Sequence, residues 1–171
     1  MSHYITSHDD KGTSVFSKSL TERIVHRVPG GTIEIVASAH TVPANVSTNE
    51  DIEKYEHDRV HLFPRKSPLC PPVGTATAIV SLEPNASSTM HRTLTLDSLV
   101  ILEGTVELHL DSAQSIPLKA GDTVTQRATM HLWKNITPNN GWAKMACFTV
   151  PVVQPLTIDG KSLEMDMGSD Q

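Results

Sequence analysis

Between residues 75 and 150 the chain is a succession of short β-branched and apolar runs with hardly a residue to spare between them. The runs fall at 75–83, 90–96, 97–103, 105–111, 115–118, 122–127, 131–136 and 142–150. Gly104, Asp111-Ser112, Ala120-Gly121 and Asn139-Asn140-Gly141 separate the later ones. Runs this short, closed by Gly, Asn and Asp, read as strands joined by tight turns. Many short antiparallel strands cannot each bury an apolar face alone, so they close into a sandwich or barrel. Helical periodicity is nearly absent, and the fold class expected is all-β with little helix.

The remaining segments frame that barrel. The chain has 171 residues, enough for one domain with a core and terminal arms. Apolar residues make up 38%, below the globular average. The shortfall lies mostly in the first and last dozen residues. Residues 1–12 are therefore read as a flexible N-terminus, 13–74 as an arm with loops packing on the barrel, 75–156 as the barrel and 157–171 as a tail. Within the arm, 32–38 alternates like a strand, and four prolines in 64–74 exclude a central strand there. Residues 50–59 form a short helix at most, charged all round, with Ser47 and Glu50 spaced as a capping box. Residues 99–102 are apolar on both faces, which predicts a strand covered twice, by the arm or by a second subunit of a homodimer.

Charge and targeting narrow the partners. The net charge is -5 and no Lys/Arg stripe occurs, so neither nucleic acid nor an anionic membrane is expected as a partner. No apolar run approaches the roughly 20 residues of a spanning helix. The start lacks the basic and apolar regions of a secretory signal, so a cytoplasmic location is expected. Cys70 and Cys147, far apart and outside any CxxC, are read as reduced thiols. The sequons at Asn45, Asn85 and Asn135 are then expected to be unused.

Two stretches carry the chemistry. Residues 91–104 read His-Arg-Thr-Leu-Thr-Leu-Asp-Ser-Leu-Val-Ile-Leu-Glu-Gly, and 121–135 contain Gly121-Asp122, Gln126-Arg127 and His131-Leu-Trp133-Lys-Asn135. On a strand, alternate side chains share a face, so His91, Thr93 and Asp97 point one way if the strand runs unbroken, as do His131, Trp133 and Asn135. Polar groups facing a barrel interior are costly unless bonded or bound to something. If the two faces meet, two imidazoles, a carboxylate and a hydroxyl surround one pocket. The other histidines carry less, and His109 between Leu108 and Leu110 is expected to face solvent.

Here the chain resembles the cupin superfamily, whose first motif runs His-x-His, then Glu, then Gly, and whose second opens on Gly and ends His-x-x-x-Asn. His91, Thr93, Asp97 and Gly104 match the first, and Gly121, His131 and Asn135 the second. The wording is similar to that of small one-domain cupins found in bacteria and in fungal natural-product clusters. The resemblance implies a jelly-roll barrel, a double-stranded β-helix. It also implies an oxygen-rich polyketide-like or small carboxylic acid substrate.

The departures bear on cofactors. Typical cupins hold a divalent metal with three His and one Glu, whereas here Thr93 replaces a His and Asp97 the Glu. Arg127 and Thr129 replace the usual Pro and Gly, and His131 comes one residue early. Two alternatives stand: one divalent ion (Fe, Mn or Zn) on His91, Asp97 and His131 with open positions, or no cofactor. The catalytic set expected is His91, His131, Asp97 and Arg127, the last at the pocket mouth through the cupin alignment. Thr93, Gln126 and Trp133 are the expected substrate contacts. Imidazoles exchange protons near neutral pH, so the expected activity is a lyase or isomerase: decarboxylation, dehydration or enolate-type isomerisation. An iron-dependent dioxygenase and a non-catalytic ligand-binding cupin are the alternatives.

Overall fold

The computed structural model describes residues 2–17, 22–63 and 69–168. Residues 64–68 of the proline-rich stretch, residue 1 of the N-terminus and 169–171 of the tail lie outside the described residues. The chain folds as β1 (Thr6–His8), β2 (Ser14–Phe16), β3 (His26–Val28), β4 (Gly31–Ala39), α1 (Glu50–His61), β5 (Thr75–Leu82) and β6 (Thr95–Glu103). It continues with β7 (Thr105–Leu110), β8 (Ser115–Lys119), β9 (Thr123–Arg127), β10 (His131–Asn135), β11 (Ala143–Pro151), β12 (Leu156–Ile158) and β13 (Lys161–Leu163). It is a mostly β fold, as the run of short strands predicts.

A six-stranded antiparallel sheet, ordered β3-β4-β5-β11-β6-β9, faces a three-stranded sheet, β10-β7-β8. Inward residues of both form one apolar core that includes Leu99, Ile101, Val106, Leu108, Trp133 and Met145. Burying each such side chain contributes about 1.5–3 kcal/mol. The chain passes from one sheet to the other at Gly104, with φ of 77°. A Cβ there would lie 2.5 Å from Thr137 Oγ1 and 2.7 Å from Trp142 O, so the corner requires glycine. Asn139 and Asn140 also take positive φ, but they link β10 to β11 across the two sheets rather than closing a hairpin.

Three expectations change. The helix α1 spans Glu50–His61 and is not a mere surface turn, since it buries Tyr55, Asp58 and Arg59. Asp58 accepts from Ser38 Oγ (2.6 Å) and is paired with His40 Nε2 (2.8 Å), while Arg59 Nη1 donates to Glu22 O (2.8 Å). Tyr55 packs with Ile35 and Ala78. Partners from distant strands thus neutralise polar groups that look solvated in sequence. The Ser47 capping box does not form, because Asn49 takes the cap position and makes no side-chain bond there. Finally, both chain ends carry structure: β1 pairs with β2, β12 pairs with β13, and Asp166 bridges to Arg92.

Residues 99–102 are covered on one face only. Leu99 and Ile101 are buried, whereas Leu102 is 43% exposed on the outer face. The arm covers β4 through α1 and leaves that face open. Among the described residues no helix is long and apolar enough to cross a membrane.

Candidate active site

The first motif enters β6 through a short extended segment whose His91 forms a reciprocal backbone bridge with His131 at the start of β10. His91 N donates to His131 O at 2.8 Å, and His131 N to His91 O at 2.9 Å. This pairing brings the two rings together, their centroids 4.2 Å apart and their planes inclined by 54°. His91 Nδ1 lies 2.9 Å from Thr89 O, and His131 Nδ1 lies 2.9 Å from Thr129 O. A carbonyl only accepts, so each Nδ1 carries the proton and donates it. In the neutral rings Nε2 is therefore the lone-pair nitrogen.

The rings border a cavity of about 180 Å³ between the sheets. That is below the usual range for drug-sized ligands, roughly 300–1,000 Å³, so the space suits a small molecule or one end of a larger one. Thr93, Thr95, Asp97, Gln126, Ser88 and Thr149 complete its polar lining, against Val80, Leu99, Trp133, Met145 and Cys147. The strand register explains the set. Asp97 pairs with Gln126 on β9 and with Thr149 on β11, so all three point the same way. Thr93 and Thr95 hydroxyls bond to one another at 2.8 Å.

Burial dominates the electrostatics. It pushes His131 down to about 4, helped by the neighbouring His91, so the imidazole stays neutral at physiological pH. Burial also raises Asp97 from 3.8 to about 6, partly offset by the nearby Thr95 and Thr93 hydroxyls. The Cys147 and Cys70 thiols are pushed up as well, chiefly by burial, which keeps them protonated and poorly nucleophilic.

The structure brings His91, Thr93, Asp97, Gln126, His131 and Trp133 together around this space. Arg127 does not line this space. It neighbours Gln126 on the same strand, so it faces outward, and it lines a separate groove with Arg92, Leu96 and Met130. Asn135 is fully buried and structural: Nδ2 donates to the carbonyls of Leu82, Glu83 and Gly141, and Oδ1 accepts from Thr137 N. His109 is half-buried against Glu107 Oε2 at 2.6 Å rather than free in solvent. Thr95 and Cys147 were not anticipated. Alternation with Asp97 is a signal that could have found Thr95, but nothing local marks Cys147.

The metal expectation meets the geometry at its third ligand. Among the described residues no three His, Cys, Asp or Glu side chains converge closely enough to hold an ion. Asp97 thus does not complete a set with the two imidazoles, and the Thr93 hydroxyl in place of the family's second His is engaged with Thr95. The residues present do not fit the usual cupin metal cage.

A small barrel of two facing sheets with a largely apolar pocket, carrying a few polar groups and walled by the two motif segments, defines a class, and the relatives agree with it. A phomopsin biosynthesis cluster protein C' of Diaporthe leptostromiformis is 36% identical over 163 residues, covering 94% of this chain and 82% of the relative. A cupin-domain-containing oxidoreductase of Neurospora crassa is 34% identical over 170 residues, covering 96% and 80%. Among solved structures, the Cnp3 cupin domain of Schizosaccharomyces pombe superposes with a TM-score of 0.51 over 88% of each chain at 11% identity, a likeness of fold alone. No protein-family model matches the chain. The chain belongs to the cupin superfamily.

Proposed function

We propose that this cupin is an enzyme of secondary metabolism that moves a proton beside a carbonyl of a polyketide-like or small carboxylic acid substrate, as a lyase or isomerase. One observation carries the reading: two imidazoles whose Nδ1 atoms are tied to backbone carbonyls, which leaves the lone pair on Nε2, line one small cavity. A neutral imidazole within reach of an acidic C–H is a general base, and the same ring returns the proton at another carbon. The apolar wall of Leu99, Trp133 and Met145 limits water and strengthens each polar interaction inside. The relatives' cluster names support the metabolic setting.

A second reading, a redox enzyme, is favoured by the oxidoreductase name of the Neurospora relative. It calls for iron on His91 and His131, and the described residues bring no third ligand to that pair. Elemental analysis of protein purified without chelators or an affinity tag separates the two readings. Proton transfer predicts less than about 0.1 metal per chain with turnover intact under anaerobic conditions. Stoichiometric iron, with turnover lost on its removal, would overturn it.

A further inference from the structure

Two deeply buried polar atoms at the cavity have no hydrogen-bond partner: Asp97 Oδ1 and Gln126 Nε2. Their residues are 5% and 4% exposed and sit directly opposite one another on β6 and β9. Native folds rarely leave such atoms orphaned, because burial without a partner is costly. Two side by side in a cavity mark a place where a ligand atom belongs.

The chemistry of the pair specifies that atom. Gln126 Nε2 is a donor only. Asp97 accepts when ionised and donates when neutral. The groups facing Asp97 are Thr93 and Thr95 from its own segment, Cys147 and Thr149 from β11, Cys70 before β5, and the two imidazoles. No Lys or Arg lines the cavity among the described residues. In its neutral form the acid and the amide present two N–H or O–H donors toward one space.

We infer that Asp97 and Gln126 form a two-donor seat for a single substrate oxygen that gains negative charge, the carbonyl oxygen of an enolisable ketone or 1,3-dicarbonyl. The inference rests on the proton-transfer reading and gives it a substrate class. When the C–H bond breaks, its proton goes to an imidazole Nε2. The electron pair forms the C=C bond, and the carbonyl π pair moves onto oxygen, where the Asp97 O–H and Gln126 N–H donate to it. A buried neutral carboxylic acid is a competent oxyanion donor. With a pKa raised to about 6, Asp97 carries the proton it donates on the acid side of that value, so the seat is complete there.

The test is an absorbance titration of the full chain with 4-nitrophenol, a small phenol whose oxyanion imitates an enolate. Gln126→Met removes the donor at nearly equal size and should weaken binding by about tenfold or more, the loss expected for one charge-assisted hydrogen bond. Asp97→Asn keeps an N–H donor and cannot ionise, so it should bind at least as tightly as wild type. Circular dichroism confirms that each variant is folded. Wild-type affinity in Gln126→Met, lost affinity in Asp97→Asn, or no binding to wild type would each overturn the seat. His131→Gln distinguishes the two claims: retained turnover there counts against proton transfer, while the seat stands or falls on the titrations of the other two variants.

Discussion

Acidification from about pH 7 to about pH 4 titrates two buried cavity groups in opposite senses, and separating them by mutation gives a quantitative check on the site. Asp97 has its folded pKa raised from 3.8 to about 6, which corresponds to about 3 kcal/mol. That stability is fully present below 3.8 and is lost as pH rises through about 6. His131 has its folded pKa lowered from 6.5 to about 4, again about 3 kcal/mol. That stability is present above 6.5 and is lost as pH falls through about 4. In the wild type the two nearly cancel. Asp97→Asn removes the gain on acidification, so its stability relative to wild type should fall by about 2 kcal/mol between pH 7 and pH 4. His131→Gln removes the loss, so its relative stability should rise by a similar amount over the same range. Urea unfolding midpoints at several pH values, with a common m-value, measure both differences. Variants whose curves run parallel to wild type would show that neither group is buried as described.

Further expectations follow from other parts of the fold. Asn135→Ala removes the side chain that joins β10 to the ends of β5 and β11, leaving several buried backbone groups without partners. It should cost about 3 kcal/mol and lower Tm by about 6–12 °C in a scanning calorimeter. Arg127→Ala should change the affinity for a cavity ligand by less than about twofold, since its side chain lies outside the cavity. The exposed outer face of the six-stranded sheet, with Leu102, Phe148 and Val150, is proposed as a homodimer surface. Light scattering should give a dimer for wild type and a monomer for Phe148→Glu, and a wild-type monomer at micromolar concentration would refute this.

Much of the site was legible because strand alternation is a local rule. His91, Thr93 and Asp97 share a parity, so finding one inward side chain locates the others, and the turn residues delimit β5 and β7 to β11 closely; the runs read at 90–96 and 97–103 are instead the single strand β6, which starts at Thr95. The same rule argues against Arg127, which cannot face inward beside an inward Gln126; there the family alignment suggested what the parity denies. Asn135 obeys the parity but spends its polar atoms on backbone carbonyls, a role set by neighbours far away in sequence. The buried face of α1 was illegible for a similar reason. Asp58 and Arg59 are buried because Ser38, His40 and Glu22 meet them, and no pattern within 50–61 announces those partners. The terminal hairpins are short and exposed, with little apolar signal to mark them.

The central claim is that His91 and His131 exchange protons with a carbon acid in the cavity. Its most direct test is deuterium exchange, followed by NMR, of small 1,3-dicarbonyl and β-keto acid compounds incubated with the protein in D₂O under anaerobic, metal-free conditions. Wild-type protein should accelerate C–H exchange in at least one compound, and His91→Ala and His131→Ala, folded by circular dichroism, should not. Exchange that persists in both variants, or that arises only with added iron and oxygen, would contradict the account.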